Sequence, residues 1–412
     1  MAIDALNLHP NRQVMIGVVA QPTPGTDPGA FVIADLNMHI FGEPKAKLIS
    51  DLFEVEPLTS KFVRRPALTK KLSGTVEWQS WMQGAGVSAT PQTSPSWEKG
   101  MLACGMQAGD YEEFVDDGAP SGTPITGEVF NNGAVDFTFI RYDASVDKVY
   151  CHTADTIVAA TAYLGANSGA VITSHATPAQ AVIGNVIWPD STPSSYKVGI
   201  LNTYATDLWT QRSFESCRGS WNASVNAVGE PMMLDFSVLG VAHGTSPITV
   251  KEEIGTALAP TYDSPTNYGW RGVTFEIAPG GTDTGFPIHF NNFSISSGLE
   301  QSLIESADAT AAFWGTIGYA IHGSRKMSCT LNPMMDSFEN RNWYNNVAQS
   351  TTGTIRAAWG TGGGNLMEIY IPEYSTEDVD EGTRDQMVTV PLTLGLNSPG
   401  VIGDNEIFII TM

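Results

Sequence analysis

The sequence predicts an all-β protein with few short helices, laid out as two tandem β-sandwich domains. Three observations carry that reading. Stretches in which apolar and polar residues alternate with period two, the signature of a half-buried strand, recur along the whole chain. Turn formers are abundant, with 41 glycines and 24 prolines, whereas charged residues make up only 16%, and Val, Thr, Ser and aromatic residues fill the periodic stretches. At 412 residues the chain is too long for one ordinary sandwich and long enough for two cores of about 150 to 250 residues each.

In order, residues 1–30 form a Pro- and Gly-rich N-terminal arm around one strand at 14–20, and a first β domain spans 31–256. Strand character resumes at 31–41. The stretch 43–71 holds Lys45, Lys47, Lys61, Arg64, Arg65, Lys70 and Lys71, seven of the chain's 21 basic residues. It reads either as a solvated loop or as a patch that docks on the acidic surface of another copy. At 75–82, Val76, Trp78 and Met82 face one way, and Thr75, Glu77 and Gln79 the other. The small and polar residues of 84–94 make a loop. A helix over 95–104 follows, with Ser94 as N-cap, Pro95 in the first turn, Glu98 near the positive end of the dipole and Gly105 as the stop. Trp97, Met101 and Cys104 form its apolar stripe. The acidic run 110–117 reads as a surface loop, 134–142 as a strand, and 145–192, rich in Ala, Thr, Ser and Val, as an inserted lobe. Strands at 196–204, 218–227 and 232–241 follow. The last two form a hairpin around Gly229-Glu230-Pro231, with Trp221 and Phe236 on its apolar faces.

Residues 257–268, rich in Pro, Ser and Thr, read as a linker to a second β domain at 269–412. Alternation predicts strands at 273–277, 286–295, 366–371 and 388–396, a helix is expected over 334–349 behind Pro333, and a strand at 407–411 ends the chain. The order strand, helix, strand, alternating hairpin therefore occurs twice, which predicts two halves of the same topology.

The sequence assembles no catalytic, cofactor or metal centre. The seven histidines are isolated, and neither H-E-x-x-H nor G-x-S-x-G occurs. Gly360–Gly364 lacks the Lys-Ser/Thr pair of a phosphate loop and reads as a hairpin turn, and the carboxylates at 378–381 lack the later bidentate Glu of a calcium loop. Four cysteines, Cys104, Cys151, Cys217 and Cys329, have no C-x-x-C spacing, so buried free thiols are expected. With 43 acidic and 21 basic residues the net charge is −22, which argues against gripping nucleic acid. The N-terminus lacks a basic start and apolar core, and no eighteen-residue window is uninterruptedly apolar, so no membrane insertion is expected.

Three stretches carry a resemblance. The first is a Gly-x-Gly turn and a Ser/Thr/Pro loop ahead of Pro95, Trp97, Leu102, Ala103, Cys104 and Gly105. The second is C-R-G-S-W…G-E-P-M-M-L-D-F-S-V-L-G over 217–240, and the third is G-x-x-G-D-x-E-x-x-I over 400–409. Together they resemble the tail tube (major tail) proteins of tailed bacteriophages, over most of 30–110, 195–245 and 268–412, with no counterpart for the lobe. The resemblance implies tail-tube-like domains, each a sandwich with a helix packed beside it, whose strands join those of neighbouring subunits in one β-barrel. It implies trimeric or hexameric rings stacked into a tube through which genomic DNA is ejected into the host without specific binding. Implied partners are other copies, a tape measure, a tail terminator and distal tail components, in a virion tail assembled in the host bacterial cytoplasm. The motif core would be Trp78, Trp97, Met101, Cys104, Trp221 and Phe236, and the contacts between subunits Lys45, Lys47, Arg64, Arg65, Lys70 and Lys71. Two rival classes are a carbohydrate-binding adhesin or other virion β-protein, and a β-sandwich glycoside hydrolase. The last requires carboxylates such as Glu77 and Asp235 to converge at about 5 to 9.5 Å.

Overall fold

A computed structural model describes residues 14–24, 26–29, 31–32, 35–36, 40–53, 68–84, 94–205, 208–225, 229–242, 251–254, 273–279, 286–287, 290–305, 316–334, 342–360, 364–384, 387–400 and 403–412. The chain is nearly all β. Its first half contains β1 (Val14–Gln21), β2 (Phe41–Phe53), β3 (Leu68–Trp81), α1 (Glu98–Ala103), β4 (Met106–Val115), β5 (Val129–Asn131), β6 (Asp136–Asp143), β7 (Lys148–His152), β8 (Ala162–Gly165) and β9 (Val171–Thr173). Then come β10 (Ala181–Pro189), β11 (Ser195–Ala205), β12 (Leu208–Val225), β13 (Met233–Val241) and β14 (Lys251–Ile254). The rest holds β15 (Thr274–Pro279), β16 (Phe286–Pro287), β17 (Phe290–Ser296), β18 (Gln301–Glu305), β19 (Thr316–His322), β20 (Ser328–Pro333) and α2 (Trp343–Gln349). It ends with β21 (Thr352–Trp359), β22 (Met367–Val379), β23 (Gly382–Arg384), β24 (Met387–Thr389), β25 (Leu392–Leu396) and β26 (Phe408–Thr411).

One antiparallel sheet runs β2-β3-β13-β12-β17-β20-β25-β22-β21-β15. It does not close into a barrel. The strand β12 is the corner. Its first part pairs with β11 and β14 in a second sheet that also holds β1, and its later part pairs with β13 and β17. The turn from one sheet to the other is a bulge between Glu215 and Arg218, with Ser216 in the left-handed region at φ 51°. The buried N–H of Ser216 donates to Gln21 Oε1 at 2.6 Å, so the bulge leaves no orphan donor there.

The two halves are not separate sandwiches. β12 pairs with β17 across the 226–272 interval, and one apolar core runs from Ile16 to Ile409. Among the described residues the sheet runs unbroken from β2 to β15 through the β12–β17 pairing, where two separate sandwiches were expected. The physical reason is that β12 and β17 each need a partner on one side, and pairing them removes two edges at once. The linker at 257–268 lies outside the described residues.

Other expectations change locally. Phe31 and Val32 are not in a strand, because the Asp35 carboxylate accepts the Val32 N–H at 2.9 Å and bends the chain, while Phe31 lies over Gly17 of β1. Where described, the 43–71 stretch is strand rather than loop, forming the β2–β3 hairpin. The acidic run 110–117 is strand β4 for most of its length, with Tyr111 and Phe114 fully buried. The helix α1 begins at Glu98, with Trp97 at the cap position and no side-chain cap, so Ser94 is not its N-cap; Gly105, at φ +79°, stops it as expected. Of the described residues in 334–349, α2 takes 343–349, capped by Asn342, whose side chain accepts the Asn345 N–H at 2.9 Å, and Met334 sits in a β-bridge; the rest of the expected helix lies outside the described residues. The period-two run 388–396 is split into β24 and β25 at Pro391, which has no N–H to give a ladder.

The lobe is larger than 145–192 on its early side. Strands β5 to β9 enclose a core of their own drawn from Phe114 to Ile172, and β10 already returns to the body by pairing with β4 and β26.

Candidate functional site

The three family-like stretches meet at the C-terminal end of α1. Trp97, Met101 and Cys104 are fully buried, and the Trp97 indole donates to Gln83 O at 2.7 Å. The Cys104 thiol donates to Ser220 O at 3.2 Å, so the helix docks on the Cys217–Trp221 stretch of β12. Gly219 is required there: a Cβ would lie 2.6 Å from the Cys104 sulfur. Burial, and next the neighbouring Cys217, hold the Cys104 thiol well above its ordinary range, which makes it inert packing rather than a nucleophile. The third stretch arrives through Arg325, whose guanidinium donates to Asp404 Oδ1 at 2.7 Å and to Glu406 Oε1 at 2.9 Å, and also to Asp190 O at 3.3 Å. Asp190 N in turn donates to Gly105 O at 2.9 Å. His322 closes the cluster, with Nε2 donating to Gly219 O at 3.0 Å. Burial first, then the Arg218 charge, hold His322 down to about 4, so the ring is neutral at ordinary pH.

Beside this buried cluster lies the solvent face of the large sheet. In β3, β13 and β12 one parity is apolar and the other polar. Trp78 stacks on Phe236 at 5.0 Å on the inner side, with Trp221 next in register. On the outer side the register aligns Gln79, Asp235, Asn222, Ser296, Ser328, Gly395 and Ser375 in one row crossing seven strands. A second row aligns Ser224, Ser294, Thr330, Thr393 and Asp378, with Ser294 and Thr330 sharing a hydrogen bond of 2.6 Å. Most of these side chains are short and neutral. Carboxylates stand at both ends: Glu77 and Asp235 on β3 and β13, and Glu377 and Asp378 on β22, with Glu377 lying over Gly395. The amide of Gln79 donates to Asp235 Oδ1 at 2.5 Å.

Lys45 and Lys47 are exposed on the edge strand β2, with Lys45 opposite Glu77 in register. Lys45 thus lines the same open trough of about 310 Å³ as Glu77 and Asp235, so this part of the basic stretch is not set apart from the acidic face. Lys70 and Lys71 belong to β3, while Arg64 and Arg65 lie outside the described residues. The two carboxylates of the hydrolase reading do share that trough. Glu77 is exposed on the open sheet, and no group of three or more His, Cys, Asp or Glu suited to a metal occurs among the described residues. The polar rows were half legible: alternation gave the outward positions, but which strands lie side by side is a matter of long-range register. Asp404 and Glu406 stood in the third sequence stretch, but Arg325 itself carried no sequence signal, because it lies about 80 or more residues from each of its partners.

A scan against protein-family models matches none, and a search of curated proteins returns no relative.

Proposed function

We propose that this chain is a structural virion protein, the repeating subunit of a phage tail tube through which DNA passes. The observation that carries the reading is the outer face crossed by the seven-strand row and the five-strand row beside it: broad, continuous, made of short polar side chains and edged with carboxylates. Duplex DNA carries one phosphate charge per roughly 1.7 Å of axis, so a wall rich in Lys and Arg would hold it, whereas a neutral to acidic wall lets it slide. The chain's balance of −22 suits that role.

The edge strand β2, which among the described residues has β3 as its one partner in the sheet, supplies the second support. An unpaired strand edge invites a further strand, and a head-to-tail ring satisfies every such edge without open-ended growth. In this reading the exposed Lys45 and Lys47 at that edge meet the carboxylates Glu377 and Asp378, which end the rows on β22, of the next copy. Negative-stain microscopy of the purified protein is the test, with rings or hollow tubes expected. A uniformly monomeric particle at all concentrations would refute the reading. Reversing both charges (Lys45→Glu with Lys47→Glu) should weaken assembly, most strongly at low salt where screening is least; assembly indifferent to both changes would remove the charged seam from the proposal.

A further inference from the structure

A second concavity lies where the lobe meets the body. It has a volume of about 440 Å³, within the range of small-ligand clefts, and is built from β6 and the turn after it on the lobe side, and from β15, β21 and β22 on the body side. Two guanidiniums reach it, Arg141 and Arg356. Both are tied to one buried carboxylate behind them: Arg356 Nη2 donates to Glu368 Oε2 at 3.0 Å, and Arg141 Nε lies 3.5 Å from Glu368 Oε1. The Arg141 guanidinium also sits 3.9 Å over the Tyr150 ring, which fixes its plane. Two further carboxylates, Asp143 and Glu276, line the same chamber.

The charges facing the cavity therefore cancel, two positive against two negative, so neither a free anion nor a cation is the preferred occupant. What the lining offers is directional. Arginine forks donate to pairs of adjacent oxygens, carboxylates accept from pairs of hydroxyls, Thr354 does either, and Tyr370 adds a ring. Arg141 Nε and Glu368 Oε1, an ion pair at 3.5 Å, are fully buried, as is Arg356 Nε, so these atoms hold the guanidiniums from behind and leave their other nitrogens as the donors toward the cleft. We infer that this cleft binds a neutral saccharide of one or two rings, whose adjacent hydroxyls donate to Asp143 and Glu276 and accept from the arginines. The inference is independent of the tube reading, since it needs one chain only. A bound sugar touches the lobe through Asp143 and the body through Glu276 and Arg356, and so clamps one to the other.

The test is saturation-transfer NMR and calorimetry on the full chain against a panel of neutral methyl glycosides and disaccharides, together with sulfated and carboxylated counterparts. The expected result is binding of at least one neutral saccharide, insensitive to salt and weakened about tenfold by Glu276→Gln and by Arg356→Lys, the loss of one hydrogen-bonding partner each. Both variants keep shape or charge, and a circular-dichroism melt matching the parent confirms that each is folded. Failure of every neutral saccharide to bind overturns the inference. So does binding unchanged in both variants, or a preference for the anionic sugars that salt abolishes.

Discussion

The lobe and the body bury apolar surface on different scales. The lobe's core is ten side chains, of which five are aromatic: Phe114, Phe130, Phe137, Phe139 and Tyr163. The body's core, among the described residues, is 46 side chains, of which eleven are aromatic. A small core has little depth, so each member must remove more area from water, and aromatic rings remove the most. The difference teaches that the lobe's stability is concentrated in a few rings, whereas the body spreads its own over a sheet shared by both halves of the chain.

The sharpest way to break that comparison is to truncate one ring in each core. Phe137 touches Phe114, Phe130 and Tyr163 at 5.3, 5.5 and 5.2 Å between centroids. Phe137→Ala and Trp97→Ala should each cost about 3 to 5 kcal/mol. Amide exchange should separate them, with Phe137→Ala loosening the lobe alone and Trp97→Ala lowering the whole body in one step. Equal exchange throughout the chain in both variants would mean that the cores are not distinct. A smaller effect is expected at the seam, where Glu368→Gln leaves Arg141 and Arg356 facing each other. Because Arg356 is partly exposed, the cost should be about 1 to 3 kcal/mol, seen as faster exchange in β6 and β21. No change there would mean that the triad does not hold the lobe.

Two pH effects sharpen the comparison further. In the body, His322 is neutral in the fold while the unfolded chain binds its proton near 6.5. The unfolded state therefore carries more protons between about 4 and 6.5, and stability is full above that window and lost as pH falls through it. Urea midpoints should drop over this range in the parent and drop less in His322→Gln, which can still donate to Gly219 O. In the lobe the sign is reversed and the effect smallest. Asp116, at the lobe's root, is pushed up to about 6, mainly by burial. The folded state holds that proton longer than the unfolded chain, so its contribution is present below about 3.8 and is lost as pH rises through about 6. Asp116→Asn should stabilise slightly near neutral pH, by under about 1 kcal/mol, and not at acid pH. A destabilised neutral variant would show that the charge, not its burial, is what the site needs.

Faces were legible in the sequence and neighbours were not. Alternation identified Trp78, Phe236 and Trp221 as one side of their strands and Glu77, Gln79, Asn222 and Asp235 as the other, because side-chain parity is a local property. β4 escaped because it runs between two cores. Tyr111 faces a cluster with Ile140, Val186 and Phe408, whereas Phe114 faces the lobe's rings, so the period-two signal is lost and the carboxylates dominate the pattern. The fused halves escaped for another reason: no local pattern states that β12 will choose β17, some seventy residues on. The site was legible to the same degree. Its motif residues could be named, but their convergence on Gly219, Arg325 and Asp190 depends on packing between segments far apart in sequence.

The bent strand β12 has a mechanical consequence. Because a single length of backbone is hydrogen-bonded into both sheets, a pull along its axis loads two ladders in shear together, and neither can unzip bond by bond until the other yields. The buried Gln21 amide at the bend stiffens the joint, tying β1 to the turn and its other end to Thr26 O at 2.7 Å. Tension entering at one sheet is thus handed to the other as a rigid strut would hand it on, with little of it absorbed at the corner.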